Sequence, residues 1–279
     1  MLVPLLSLLA LFSAPQNTED RVLVVGDSWS AYTVGYDSLN ASFASFGHSE
    51  MRAIGSTTAI SGSTAADWTT SSYQQRIVNA LNVNPDIEVI HLTIGGNDFF
   101  AGWSVSMGAS AETALFDEIA DDVENVIDFI KAQDPDLQVL LSTYDYPNFD
   151  EMLAANPFYG FLLAAMGFPT PLELNTAAIR GQRQIGKRLV GADRVHVIHH
   201  FGLLHFLRGY ANLGIAPRAL PKPRQWGKGG KTPIAGGDFS LNGTPELMFD
   251  AIHLDSTGYF WVAQHCTALF YDAWFKAHP

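Results

Sequence analysis

This chain predicts an α/β fold with a parallel sheet covered on both faces, on three observations. Short apolar runs rich in β-branched residues alternate with longer segments whose apolar residues recur every three or four positions. The runs lack the apolar–polar alternation of a half-exposed strand, so they read as strands buried on both sides. A hydrophobic content of 47% over 279 residues supplies enough apolar side chains for such a core and is incompatible with disorder.

The elements follow in order. Met1 to Ala14 (MLVPLLSLLALFSA) is almost wholly apolar but too short to span a bilayer. It resembles the apolar core and small-residue end of a secretory signal peptide, so residues 1–20 are expected to be a leader and the protein secreted or periplasmic. No Lys or Arg precedes the run, and Pro15 follows it, both departures from that pattern. Residues 21–279 are expected to form a single domain.

Val22 to Gly26 (VLVVG) predicts the first strand, and Arg52 to Ile60, blurred by small residues, a weaker second. Asp86 to Gly95, Leu137 to Thr143 and Arg194 to Ile198 predict three more. Helical spacing marks Thr64 to Leu81, Ala111 to Lys131, Pro171 to Val190 and about Ser256 to Lys276. The clearest is Ala111 to Lys131, where Leu115, Ile119, Val123, Val126, Ile127 and Ile130 share one face and acidic residues fill the other. Two stretches break the alternation: the apolar, aromatic Pro157 to Phe168, and the Pro/Gly-rich basic loop Arg218 to Lys231. No later stretch is long and apolar enough for a transmembrane helix.

Composition removes several function classes. With 16 Lys+Arg against 28 Asp+Glu, the net charge of −12 disfavours nucleic acid as a partner. Cys266 is the only cysteine, which excludes an internal disulfide and any Cys-based zinc cluster. His196, His199, His200 and His205 crowd one stretch, but neighbouring side chains on a strand point apart and no His-Glu-x-x-His motif is present; no metal is assigned.

Chemistry in an open parallel sheet collects beyond the carboxyl ends of the strands. There the sequence places Gly26-Asp27-Ser28 after the first strand, Ser61-Gly62-Ser63-Thr64 after the second and Gly95-Gly96-Asn97-Asp98 after the third, with Asp250-Ala251-Ile252-His253 before the last helix. These types suit acyl transfer. A serine hydroxyl needs a base to take its proton. A neutral imidazole serves, and a carboxylate fixes its tautomer. The tetrahedral oxyanion needs donors, which the backbone N–H groups of Ser28 and Gly62 and the Asn97 amide can supply.

The four blocks, in this order, resemble those of the SGNH, or GDSL-type, hydrolases. The resemblance covers most of the chain from about Arg21 to the last helix. It implies a flavodoxin-like three-layer α/β/α sandwich with a five-stranded parallel sheet. It further implies Ser28 as nucleophile, Asp250 and His253 as its triad partners, and Ser28, Gly62 and Asn97 as the oxyanion hole, with no cofactor. Trp29 stands where the family usually has Leu, and a long insert falls between about 144 and 170. The Gly-x-Ser-x-Gly pattern of other serine hydrolases is absent, since Ser30 occupies the second Gly position.

Each residue also has a plainer structural reading. Ser28 or Asn97 could cap a helix, Gly62 could permit a turn, and Asp27, Asp98 and Asp255 read as structural hydrogen-bond acceptors. Cys266 reads as an inert core residue.

The sequence therefore predicts a serine esterase acting on short to medium acyl esters or lipids through an acyl-enzyme, with Phe161, Leu162 and Phe168 expected to line an acyl groove. The alternatives are an O-acetyl esterase acting on an exported polysaccharide, and a non-catalytic surface or binding protein that keeps the fold.

Overall fold

The computed structural model describes residues 18–147, 160–189, 191–208, 250 and 252–279. The apolar leader, Tyr159 and the basic loop 218–231 lie outside the described residues.

Five strands form one sheet: β1 (Glu19–Gly26), β2 (Met51–Ile54), β3 (Val89–Thr93), β4 (Gln138–Ser142) and β5 (Val195–Ile198). Every pairing is parallel and the order is β2-β1-β3-β4-β5. This is the flavodoxin-like winding, in which the chain reverses direction across the sheet between β1 and β3.

The helices are α1 (Ser28–Gly35), α2 (Ser38–Ser45), α3 (Ala65–Trp68), α4 (Ser71–Val83), α5 (Gly96–Gly102), α6 (Ala109–Gln133), α7 (Gly160–Ala165), α8 (Pro171–Leu189), α9 (Leu203–Arg208), α10 (Ser256–Cys266) and α11 (Asp272–Ala277). A single π-helical turn, Thr267–Tyr271, joins the last two.

The strand pleat sorts the apolar side chains into two cores. Leu23, Val25, Ile90, Leu92, Val139 and Leu141 face one way and pack against Trp68, Ile77 and the stripe Phe116, Ile119, Val123, Ile127 and Ile130 of α6. Val22, Val24, Val89 and Leu140 face the other way and pack against Phe43, Leu269, Trp274 and Phe275. Because alternate residues of each strand feed opposite cores, the sheet is the middle layer of three, as the sequence predicts.

Two predicted elements come out differently. The second strand ends at Ile54, not Ile60, because Thr58 and Ala59 turn back to donate to the Gly55 carbonyl at 3.1 and 2.9 Å. The helix predicted over 64–81 is two helices, because Thr69 and Thr70 close α3 and α4 starts directly after Thr70.

Candidate active site

At the reversal point the ends of β1 and β3 touch. Gly26 has a φ of +137°, and a Cβ there would stand 1.9 Å from the Thr93 carbonyl oxygen, so only glycine fits. The Asp27 N–H donates to that same carbonyl at 3.0 Å. The Asp27 carboxylate then caps α1, accepting from the Trp29 N–H at 2.9 Å. Ser28 is thereby set on the first turn of a helix, where backbone N–H groups lack intrahelical partners.

Ser28 Oγ donates to His253 Nε2 at 2.7 Å, and His253 Nδ1 donates to Asp250 Oδ2 at 2.8 Å. The carboxylate accepts from Nδ1, which leaves Nε2 as the acceptor facing the serine. The other carboxylate oxygen accepts from the N–H groups of Ile252 at 2.8 Å and His253 at 2.6 Å, so Asp250 folds the turn that carries its own partner. Burial pushes this carboxyl up, but the His253 ring and the two N–H donors outweigh it and hold the group at about 2. The turn is fastened to the helix that carries Ser28 by Trp29, whose indole N–H donates to the Ile252 carbonyl at 3.0 Å. Asp255, accepting from Gly258 N–H at 2.8 Å, caps α10 just beyond.

The second and third blocks meet beside Ser28. Gly62 is exposed in a left-handed conformation, φ +82°. Ser63 is buried, its hydroxyl donating to the Gly26 carbonyl at 3.3 Å and accepting from the Trp68 indole at 2.9 Å. Its carbonyl accepts one N–H of the Asn97 amide at 2.9 Å, which leaves the second amide N–H for another acceptor. Asp98 accepts from Ala65 N–H at 2.8 Å at the start of α3, the structural role read for it from the sequence.

Tyr144, just past β4, is a site residue that the sequence reading did not single out. Its hydroxyl donates to Asp27 Oδ2 at 2.5 Å and accepts from the Gly96 N–H at 3.0 Å. A Cβ on Gly96 would lie 2.8 Å from the Tyr144 ring, so this glycine makes room for it. Burial raises the Asp27 carboxyl to about 7 against the hydrogen bonds from Tyr144 and Trp29. No motif marks Tyr144: its place after the carboxyl end of a predicted strand becomes specific only once the fold sets it against Asp27.

The cavity beside Ser28 is lined by Trp29, Asn97, Phe99, Phe116, Ile119, Tyr144, Ala178 and Ile185, among others. Phe161, Leu162 and Phe168 are not among its lining residues. Phe161 and Phe168 are 67% and 70% exposed on and just after α7, and Leu162 packs against the core. The apolar wall at the site comes instead from α5, α6 and α8, because those helices pack over the carboxyl ends of β3 and β4.

Among the described residues no group of three or more His, Cys, Asp or Glu is placed to hold a metal ion. His200 is buried, with Nδ1 3.0 Å from His265 Nδ1 and Nε2 2.9 Å from Ser142 Oγ. Cys266 lies in the same core, where burial pushes its thiol up to about 12. No helix among the described residues is long and apolar enough to cross a membrane.

The all-parallel five-stranded sheet with helices around it is the three-layer α/β/α fold that the sequence resemblance implies. Among solved structures, the chain is similar to a Streptococcus pneumonia protein provisionally assigned as a platelet activating factor: 16% identity, TM-score 0.52, covering 90% of this chain and 83% of that one. It is also similar to a carbohydrate acetylesterase from Sinorhizobium meliloti, at 13% identity and TM-score 0.50, covering 94% of this chain and 100% of that one. At these identities the likeness is one of fold. No protein-family model matches the sequence, and no curated protein matches it.

Proposed function

We propose that this protein is a serine hydrolase of carboxylic esters. The observation that carries the reading is the unbroken relay from Ser28 Oγ through His253 to Asp250, at 2.7 and 2.8 Å. His253 Nε2 takes the hydroxyl proton as Oγ bonds to the ester carbonyl carbon. The carbonyl becomes an oxyanion facing the Ser28 and Gly62 N–H groups and the Asn97 amide. Collapse expels the alcohol, which takes the proton from His253 and leaves an acyl-serine. Water then repeats the sequence, with His253 as its base, and releases the acid. No step needs a cofactor. Asp250, held ionised at about 2, fixes the imidazole tautomer and stabilises the imidazolium.

Short to medium acyl esters are the substrate class the cavity favours. O-acetyl groups on a carbohydrate are the second reading, favoured by the likeness to the Sinorhizobium meliloti acetylesterase. The complete triad weighs against a non-catalytic role. Residues 21–279 are read as one hydrolase domain. The apolar leader is read as an export signal, which amino-terminal sequencing of the mature protein tests.

The deciding experiment treats the protein with a fluorophosphonate and locates the adduct. Labelling at Ser28 that vanishes in Ser28→Ala and nearly vanishes in His253→Ala is expected. In ester turnover, the Ser28→Ala/His253→Ala double variant is expected to be no slower than either single one, because the residues act as a unit. A wild-type protein that neither labels nor turns over any p-nitrophenyl ester would sink the reading.

A further inference from the structure

The cavity beside Ser28 is lopsided. On the side toward solvent lie Asn97 and Tyr144; the far side is closed by Phe116, Ile119 and Ile185, each only 4% exposed. Ile119 and Ile185 lie directly beneath the turn that carries Asn97, since a Cβ on Gly95 would be 3.2 Å from Ile119 Cγ2 and 3.9 Å from Ile185 Cδ1. A carbonyl oxygen directed at the oxyanion donors therefore has this apolar end within reach of its acyl chain.

The end wall is built by α6 and α8 together. Phe116 reaches in from α6 and stacks on Phe99 with ring centroids 6.3 Å apart. Gly181 of α8 allows this: a Cβ there would stand 3.2 Å from Phe116 Cδ1. Arg180, the neighbouring residue, holds α8 to α6 through paired hydrogen bonds to Glu112 at 2.8 and 2.7 Å. Such a wall yields less readily than a surface loop.

Resting on the ester-hydrolase reading, we propose that this cavity is the acyl site and that Phe116, seated against Gly181, sets the longest acyl chain accepted. The cavity volume is about 60 Å³. A space this small meets its end wall within a short to medium acyl chain. Apolar burial raises kcat/KM about fourfold per methylene until the wall is met.

Two substitutions at one contact should move the profile in opposite directions. Phe116→Ala removes the wall and lengthens the optimum by about two carbons or more, raising the octanoate-to-butyrate ratio of kcat/KM about tenfold. Gly181→Ala adds the Cβ that drives the Phe116 ring inward and shortens the optimum. It also replaces glycine by a better helix former, so α8 is not weakened by propensity. Phe116→Leu retains most of the core volume and should fall between wild type and Phe116→Ala. The measurement is kcat/KM for p-nitrophenyl esters from acetate to dodecanoate, with melting temperatures beside it. Opposite shifts in Phe116→Ala and Gly181→Ala support the assignment. An unchanged profile in folded Gly181→Ala and Phe116→Leu, or a wild-type rate that keeps rising past octanoate, overturns it while leaving the esterase reading intact. No turnover of any ester by the wild type overturns both.

Discussion

Ser28 is held by bonds of two kinds, near in sequence and far from it. Asp27 next door caps its helix and accepts from Tyr144, 117 residues further on, while Trp29 on the other side donates to the Ile252 carbonyl, 223 residues further on. Asn97 joins the far group through the Ser63 carbonyl. If its free N–H meets the oxyanion, Asn97→Ala should lower kcat by about 10²–10³ and barely move KM, because the bond strengthens only when the carbonyl turns tetrahedral. Steady-state kinetics separate the two, and a change confined to KM would remove Asn97 from the oxyanion hole. Trp29→Phe keeps a ring against Tyr144 and Tyr259, at 5.2 and 5.4 Å in the wild type, but loses the indole donor. A neutral hydrogen bond is worth about 1 kcal/mol, so the rate of fluorophosphonate labelling at Ser28 should fall about fivefold. An unaltered labelling rate would mean that the His253 turn holds its place without Trp29. At this scale the grouping of Ser28, His253 and Asp250 was legible because they lie in recognisable short blocks. Tyr144 was not, because a tyrosine after a strand has no signature until the fold brings it to Asp27.

The loop blocks around Ser28 also start helices. Gly95-Gly96-Asn97-Asp98 opens α5 while Asp98 reaches across to cap α3, whose own Thr64 and Asp67 form a capping box at 3.0 and 2.9 Å. Asp98→Ala should cost about 1 kcal/mol, the usual loss of an N-cap, and lower the melting temperature by about 2–4 °C. Asp98→Asn retains an acceptor and should lose less. Equal melting temperatures for both variants and wild type would show that the capping box alone holds α3. Long elements such as α6 were legible from their apolar stripe. The eight-residue α1 and α2 and the seven-residue α5 were not, because they are shorter than the window in which a 3.6-residue period shows. The split of the helix predicted over 64–81 has the same origin, since Thr70 ends one pattern and begins another within a single turn.

Across the whole molecule, burial of histidine governs the response to acid. Desolvation lowers His91 to about 3, His196 and His265 to about 4, and His200 well below its ordinary value. The unfolded chain takes up these protons below about pH 6.5 and the folded chain does not, so each histidine withdraws stability as the pH falls. Asp27 and Asp145 act in the opposite sense: burial raises them to about 7 and about 6, so the folded state holds their protons where the unfolded state does not. Among these groups of the described residues the histidines outnumber the two carboxyls, so stability should fall as the pH drops from 7 toward 5. Urea titrations between pH 7 and pH 5 measure this directly. A midpoint that holds steady or rises over that interval would contradict the burial assigned to the histidines.

The sequence by itself determined the alternating α/β plan, the buried strands and the three-residue step from Asp250 to His253, because each depends on residues close together in the chain. Local pattern also carried the glycine turns, since Gly26, Gly62 and Gly95 need conformations that favour glycine. Tertiary structure alone decided the shape of the cavity beside Ser28. The aromatic stretch 157–168 looked like the acyl surface because it is apolar and follows a catalytic-side strand. Apolar character does not say which way a helix face turns, and packing left Phe161 and Phe168 exposed while bringing Phe116 of α6 and Ile185 of α8 beside Ser28. The sequence reading singled out neither of those two residues. What makes them a pocket wall is the meeting of two helices over the carboxyl end of the sheet, a property of the packed molecule and of no segment within it.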